Sequence, residues 1–448
     1  MRLPNTFRSL RVRNYRLYWS GAIVSNVGTW MQRIAQDWLV LHLSGNSGVA
    51  LGVTTGLQFL PLLLFGLWGG VLADRLDKRK LLVATQIAFA VVGVTLGLLN
   101  LTGVVEVWHV YALALTFGIV TAVDNPTRQA FVVEMVGQQE VSNAVALNSA
   151  SFNTARIVGP AVAGVLISLV GTGPVFLINA ASYAAVVVGL RLMRADELRL
   201  PDRVSREPGQ LREGLRYVRE RPELLLPIII VGVVGTFGFN FQITMALMTK
   251  EVFGRGAGAF GLLATAMAVG SLTGALLAAR RARPRARFFV QAAVLFGVLE
   301  IVAGLLPTYE TFMAILVPIG VFAISMATTA NAYVQMQTRP SMRGRVMSLY
   351  MLVFMGGTPI GAPLVGWIAG LLGAQWGLIS GGIICVVATV VVTAVLARKQ
   401  GMRIRPRVRP LPHWDVERTR EEDAVVTVTD IDVRTAGQPA LASSRQAE

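Results

Sequence analysis

Apolar residues along the chain arrive in long blocks separated by short polar segments. Each block is long enough to carry a helix across a hydrocarbon core of roughly 30 Å, which takes about 20 residues. Twelve blocks are legible, at 17–43, 49–73, 81–102, 108–131, 142–169, 173–193, 224–249, 258–279, 286–306, 310–336, 345–372 and 376–397. Each is predicted to be a membrane-spanning helix. They leave a basic arm (1–16), a linker (194–223) and a tail (398–448). In the linker, Pro201, Pro208 and Gly209 mark loop, while Leu211, Leu215 and Val218 suit an amphipathic helix that ends before Pro222. The tail lacks an apolar stripe beyond Pro412 and is predicted to be disordered. The pattern therefore predicts an all-α polytopic membrane protein, with six spans in 17–193 and six in 224–397.

Composition agrees. Of 448 residues, 54% are hydrophobic and 15% charged, and the mean hydropathy is +0.58. Too few polar residues exist to cover the two or three soluble domains this length would need. The net charge of +16 would suit a nucleic-acid binder, but the cations are in the wrong places. With the N-terminus in the cytoplasm, 37 of 41 Lys and Arg fall in inner segments, and only Lys250 and Arg255 in outer loops. A miscounted span would invert that bias downstream of the error. Twelve spans with both termini cytoplasmic are thus expected, in the plasma membrane of a bacterium. The chain carries 37 Arg against 4 Lys, as GC-rich bacterial sequences do. Cys385 is the single cysteine, the three histidines form no metal-ligand pair, and phosphate loops and nucleophile elbows are absent from the sequence. No enzyme chemistry, cofactor or metal is implied.

An internal repeat appears at an offset of 202 residues. Gly118, Thr127, Ala130 and Val132 align with Gly320, Thr329, Ala332 and Val334. Leu147, Phe152, Gly159, Gly164, Leu169 and Gly171 align with Leu349, Phe354, Gly361, Gly366, Leu371 and Gly373. Spans 4–5 repeat as spans 10–11, the signature of two parallel six-helix halves.

Between spans 2 and 3 the chain reads Gly70-Val-Leu-Ala-Asp74-Arg75-Leu-Asp77-Lys78-Arg79-Lys80. This resembles motif A of the major facilitator superfamily, with Asp77 where the family has its second glycine. The second-half copy, from Gly274 to Arg281, has lost the acid. The resemblance implies a gate that locks the two halves in the outward-open state through contact with span 11, with Asp124 on span 4 as partner of Lys78 or Arg79. In span 5, Ala155-Arg156-Ile-Val-Gly159-Pro160-Ala-Val-Ala163-Gly164 resembles motif C of the antiporter branches, with two glycines replaced by alanine. Small residues at that spacing also serve close helix packing. Two further stretches, Glu213–Glu223 and Asp124-Asn-Pro-Thr-Arg128-Gln-Ala-Phe131, resemble the enterobactin-exporter-like branch, which implies proton-driven export of a siderophore, drug or secondary metabolite.

A charge at the bilayer centre costs on the order of 2.5–3.5 kcal/mol on insertion scales, so each one invites a functional reading. Asn26, Trp30, Arg33 and Asp37 form a polar stripe on span 1, and Arg33 and Asp37 stand at i, i+4, where they can pair. Asp37 is the candidate for proton coupling or substrate contact, against a plain structural ion pair. Asp124 and Arg128 repeat the spacing on span 4. Arg156 has no acid within one turn, so its partner is sought on another helix, Asp37 or a substrate anion. Glu300, on the peripheral span 9, is expected to snorkel or pack. Asn148, Asn240, Gln242, Thr244, Asn331 and Gln335 complete the candidate cavity set, or serve as glue between helices.

The expected function is secondary active transport, with proton-coupled efflux of a small organic compound by alternating access. An importer or facilitator on the same fold, and a non-transporting receptor or assembly protein, are the alternatives. The expected partners are substrate, protons and lipid, the expected state a monomer.

Overall fold

The structure, a computed structural model, describes residues 5–199, 210–280, 284–399, 402–407 and 413–418. A short 3-10 turn (Asn5–Arg11) precedes six long helices: α1 (Arg13–Leu43), α2 (Gly48–Arg75), α3 (Lys78–Leu101), α4 (Val107–Val136), α5 (Val141–Val170) and α6 (Thr172–Arg191). The linker helix α7 (Gln210–Arg219) follows. The seventh span is broken into α8 (Pro222–Val233) and α9 (Phe241–Leu247), with π-turns at Val234–Gly238 and Met248–Val252. Then come α10 (Ala257–Ala279), α11 (Ala286–Leu305) and α12 (Tyr309–Gln337). The eleventh span divides at Gly357 into α13 (Arg343–Gly356) and α14 (Thr358–Leu372), and α15 (Ala374–Lys399) closes the bundle. Among the described residues, eleven passages are long and apolar enough to cross a membrane. The twelfth passage is α1, 31 residues long and polar along one stripe.

Local chemistry sets the ends. Ser47 caps α2 by accepting from the Ala50 amide at 3.2 Å, and Asp77 caps α3 by accepting from the Lys80 amide at 3.0 Å. Gly171 ends α5 with φ 78° and Gly373 ends α14 with φ 103°, a region that favours glycine. These two are partners at the 202-residue offset, so the repeat holds down to the backbone conformation that stops each helix.

The two six-helix halves meet where α2 packs on α14 and α5 on α10. Small residues make both contacts. A Cβ on Gly52 would lie 2.5 Å from the Ala362 carbonyl oxygen, and one on Gly48 would lie 2.6 Å from that of Gly366. On the other side Gly261 sits against the Pro160 carbonyl and Gly164 against Gly258. Ala362 and Pro160 are again 202 positions apart, so one packing solution is used twice. Both contacts lie toward the charge-poor end of the bundle, where α1 ends and α2 begins.

At the opposite, basic end α7 docks on α13. Glu213 pairs with Arg345 at 2.6 Å, Gly214 approaches the Arg345 backbone, and Val218 is fully buried. Tyr217 accepts from the Arg339 amide at 3.3 Å and carries the Arg221 guanidinium over its ring. A helix is therefore present in the linker, seated through Glu213, Gly214, Tyr217 and Val218, while Leu215 of the expected apolar stripe is exposed. The arm does the equivalent work in the first half, with Arg8 pairing with Glu140 at 2.8 Å and Ser9 bonding Asn143.

The region from Ala394 onward forms a second unit. In it Met402–Arg407 pairs antiparallel with His413–Arg418, Ile404 opposite Val416. A tail without elements did not anticipate this hairpin. Its sequence alternates Arg403, Arg405 and Arg407 with Met402, Ile404 and Pro406, the period of a strand. The remainder of the tail lies outside the described residues.

The docking of α7 makes a charge test available. Reversing Glu213→Arg or Arg345→Glu singly should lower thermal stability, and the double reversal should restore it. The expected coupling in a double-mutant cycle is about 0.2–1 kcal/mol, as for other half-exposed pairs. Strictly additive effects would count against the contact.

Candidate functional site

The motif between α2 and α3 makes its described contacts inside the first half. Asp74 and Arg75 are the exposed last residues of α2, and Gly69, beside Gly70, packs on the Ala122 carbonyl of α4. Lys78 pairs with Glu134 at 2.7 Å. Arg79 donates to the Leu190 and Arg191 carbonyls at 2.7 and 2.9 Å, at the negative end of the α6 dipole. Asp77, the departure from the family pattern, is the cap of α3.

The expected pairing of Asp124 with Lys78 or Arg79 is not formed, and helix rise explains why. Lys78 is the first residue of α3, at the basic end. Asp124 lies ten residues back along α4 from Glu134, about 15 Å deeper in the bundle. At that depth it meets Thr85 and Gln86, whose side chains donate to Oδ1 at 2.7 and 2.8 Å. Arg128 donates through Nε to Oδ2 at 2.9 Å, holds Nη2 in ion-pair contact with the same oxygen at 2.8 Å, and donates through Nη1 to the Tyr18 hydroxyl at 3.3 Å. Asp124 and Arg128 thus tie α1, α3 and α4 together. Glu134, 3% exposed, was missed because the apolar block stops near 131 while the helix runs on to Val136.

Arg33 and Asp37 behave differently. Among the described residues no hydrogen bond or ion pair joins them. The Arg33 guanidinium turns back over Trp30, 5.0 Å from the ring centroid, and 5.9 Å from that of Phe59. Long helical side chains lean toward the N-terminus. A cation placed before an acid at i, i+4 is also the weaker order, whereas Asp124 before Arg128 is the stronger one. The same spacing therefore gives a closed pair on α4 and an open one on α1. Asp37 is 5% exposed, and its Oδ2, Arg33 Nε and Arg156 Nε are buried without a hydrogen-bond partner. The expected pairing of Arg156 with Asp37 is not formed either.

Motif C resolves into packing positions. A Cβ on Gly159 would lie 2.5 Å from Trp30 Cβ, and Pro160 and Gly164 face α10. Asn26 donates to Ser151 at 3.2 Å, joining the polar stripe to α5. Asn148 accepts from Tyr15 at 3.0 Å, nearer the basic end. Asn240 sits in the break of the seventh span, donating to the Thr236 carbonyl at 2.8 Å, and Thr244 donates to the Asn240 carbonyl. Gln242 is half-buried on α9. Asn331 accepts from Gln335 at 2.9 Å, within α12. No hydrogen bond among the described residues links the polar groups of α9 and α12 to Arg33 or Asp37. Glu300 does not snorkel: it is 2% exposed, its Oε1 lies beside Gly381, and its Oε2 has no partner.

Two repeated six-helix halves, small-residue contacts between them and unpaired charges in the spans define a transporter of the major facilitator type. The chain belongs to the transmembrane secretion effector family, whose profile matches residues 5–441. It is 25% identical to the staphyloferrin A transporter of Staphylococcus aureus over 361 residues, covering 80% of this chain and 90% of the relative. It is 25% identical to macrolide efflux protein A of Streptococcus pyogenes, with coverage of 83% and 93%. With the multidrug efflux pump Tap of Mycolicibacterium fortuitum the identity is 26%, over 79% and 88%. The fold matches a bacterial homologue of the lysosomal transporter Spinster in an inward-facing state (TM-score 0.66, 17% identity, 88% and 98% coverage). It also matches the POT family transporter PepTSo (TM-score 0.70, 13% identity, 87% and 98%).

The buried Lys78–Glu134 pair gives a stability prediction. Glu134→Ala strands the ammonium and should cost roughly 3–5 kcal/mol, while replacing both residues together by apolar ones should cost far less. Thermal unfolding of the purified variants checks this; equal losses would mean that the pair is not desolvated.

Proposed function

We propose that the protein exports a small organic compound from the cytoplasm in exchange for protons, as a monomer, with its basic end and both termini on the cytoplasmic side. The observation that carries this reading is Asp37, a buried carboxyl in a membrane-spanning helix that has neither a hydrogen bond at Oδ2 nor an ion pair among the described residues. An acid so placed serves no structural bond. Its ionised form is costly unless water or a ligand reaches it, and its neutral form is cheap to carry through an occluded state.

The mechanism follows from that difference. The halves touch through glycines at the charge-poor end, which supports a closed outer face, and the described contacts of Lys78 and Arg79 lie within the first half, as suits an inward-facing arrangement. Substrate binds from the cytoplasm while Asp37 is ionised. Rocking of residues 17–193 against 224–397 opens the outer face, where a proton from the more acidic side neutralises Asp37 and weakens the hold on substrate. The protonated form returns, and loss of the proton inward resets affinity. Proton and substrate are coupled because each is bound differently in the two states. When the outer face opens, Asp74 and its neighbouring cations reach span 11 and hold that state. The efflux activities in the names of the relatives support the direction.

Asp37→Asn should abolish pH-driven flux, in everted vesicles, of whichever dye the unaltered protein exports from a panel of anionic, cationic and dipolar dyes, while leaving expression and thermal unfolding near those of the unaltered protein. Full pumping by this variant would remove Asp37 from the mechanism. Asp74→Asn should slow turnover several-fold with the range of transported compounds unchanged, and unaltered turnover would reduce motif A to a topological signal.

A further inference from the structure

The charged groups of the membrane region fall into bonded and unbonded sets. Asp124, Arg128, Lys78 and Glu134 are bonded, as described. Glu300 is buried beside Gly381, with its Oε2 unpartnered. Arg33, Asp37 and Arg156 form the remaining set, and none of the three makes a hydrogen bond or ion pair among the described residues. Buried polar atoms in folded proteins find partners as a rule, so three unbonded ionisable groups in one neighbourhood mark a place that takes its partners from outside the chain.

Their neighbourhood can be built from helix geometry. Trp30 lies one turn before Arg33, and its ring stands 5.7 Å from that of Phe152 on α5. Phe152, Arg156 and Gly159 follow at i, i+4 and i+7, on one face of α5. Two of the three touch Trp30, so Arg156 lies between them on the face turned to α1. Phe59 of α2 adds a third ring beside Arg33. Asp37 is one turn beyond Arg33, about 6 Å along the axis. The other titratable groups nearby are Tyr183, bonded to Thr29 and Asn179, and Lys250, which sits over Trp38.

We propose that this cluster is the substrate site and that its substrate is dipolar: an anionic group such as a carboxylate on Arg33 and Arg156, a cationic amine on Asp37, and an apolar ring body against Trp30, Phe59 and Phe152. The proposal rests on the exporter reading and adds the substrate class. Charge balance selects it. A purely cationic compound would meet two arginines for one acid. A purely anionic compound would favour the protonated form of Asp37, so compound and proton would travel together, the wrong sign for exchange. A compound with both charges satisfies all three side chains and competes with the proton for Asp37. Aromatic faces suit the guanidinium groups and a flat ligand alike.

The test is equilibrium binding to the purified full chain in nanodiscs, read by dansyl fluorescence. The probes are ε-dansyl-lysine, which keeps both charges, its methyl ester, which keeps only the amine, and its Nα-acetyl derivative, which keeps only the carboxylate. The dipolar probe should bind at least about tenfold more tightly than either derivative. Arg156→Gln should erase its advantage over the ester alone, Asp37→Asn its advantage over the acetyl derivative alone, and Arg156→Lys should keep both. Variants are compared only where size-exclusion elution matches the unaltered protein. Equal binding of the ester or of the acetyl derivative overturns the proposal, as does absence of binding by all three at about 1 mM. This readout involves neither direction nor driving force, so the flux measurements on Asp37→Asn decide the exporter reading separately.

Discussion

An ionised side chain inside a hydrocarbon layer must find a partner, and the ways this chain meets that demand organise the molecule. On α4 the demand is met within one turn, where Asp124 holds Arg128 and also collects Thr85 and Gln86 of α3. At the basic end it is met between helices, where Lys78 reaches Glu134. Both arrangements fix neighbouring helices in the first half and give these charges partners within the protein. Among the described residues the demand is left open singly at Glu300 and as a cluster around α1 and α5. Because a buried unpaired charge is expensive, such a place survives where function supplies the missing partner.

The contact between halves obeys a second economy. Lipid offers apolar side chains as good an environment as another helix does, so association in a membrane relies on close backbone approach. Gly48 and Gly52 against Gly366 and Ala362, and Gly261 against Pro160, supply it with almost no side chain in between. At these seams backbone meets backbone, and side chains such as Trp38 and Phe260 also meet between the halves. The seam is built twice, at positions related by the 202-residue offset. Extra-membrane segments reinforce each half rather than the seam: the arm clasps the start of α5, and α7 clasps the start of α13.

Much of this was legible in the sequence because hydrocarbon thickness dictates helix length and cations mark the ends. The helices, the linker helix and the repeat all followed from pattern. Side-chain partners did not. The position of Glu134 required knowing that α4 outlasts its apolar block, a fact carried by the glycine at 137 with φ 72° rather than by hydropathy. The partner of Asp124 depended on depth: a rise of 1.5 Å per residue puts Thr85 and Gln86, not Lys78, at its level. Of the two expectations for Glu300, it packs and does not snorkel, since a helix at the rim of the fold can still turn one face inward, here toward Gly381.

The contrast between α1 and α4 carries the argument furthest. Both helices present an acid and an arginine four residues apart, and spacing alone treats them as equals. Order separates them. With the acid first, as in Asp124 and Arg128, the leaning arginine comes back onto the carboxylate, and the pair closes. With the arginine first, as in Arg33 and Asp37, the guanidinium leans away, onto Trp30, and the carboxylate is left behind. A self-satisfied pair at this position would neutralise the first span and leave nothing to titrate or to bind. The reversed order keeps cation and anion on adjacent turns but unjoined, which is what the proposed competition of substrate and proton for Asp37 requires.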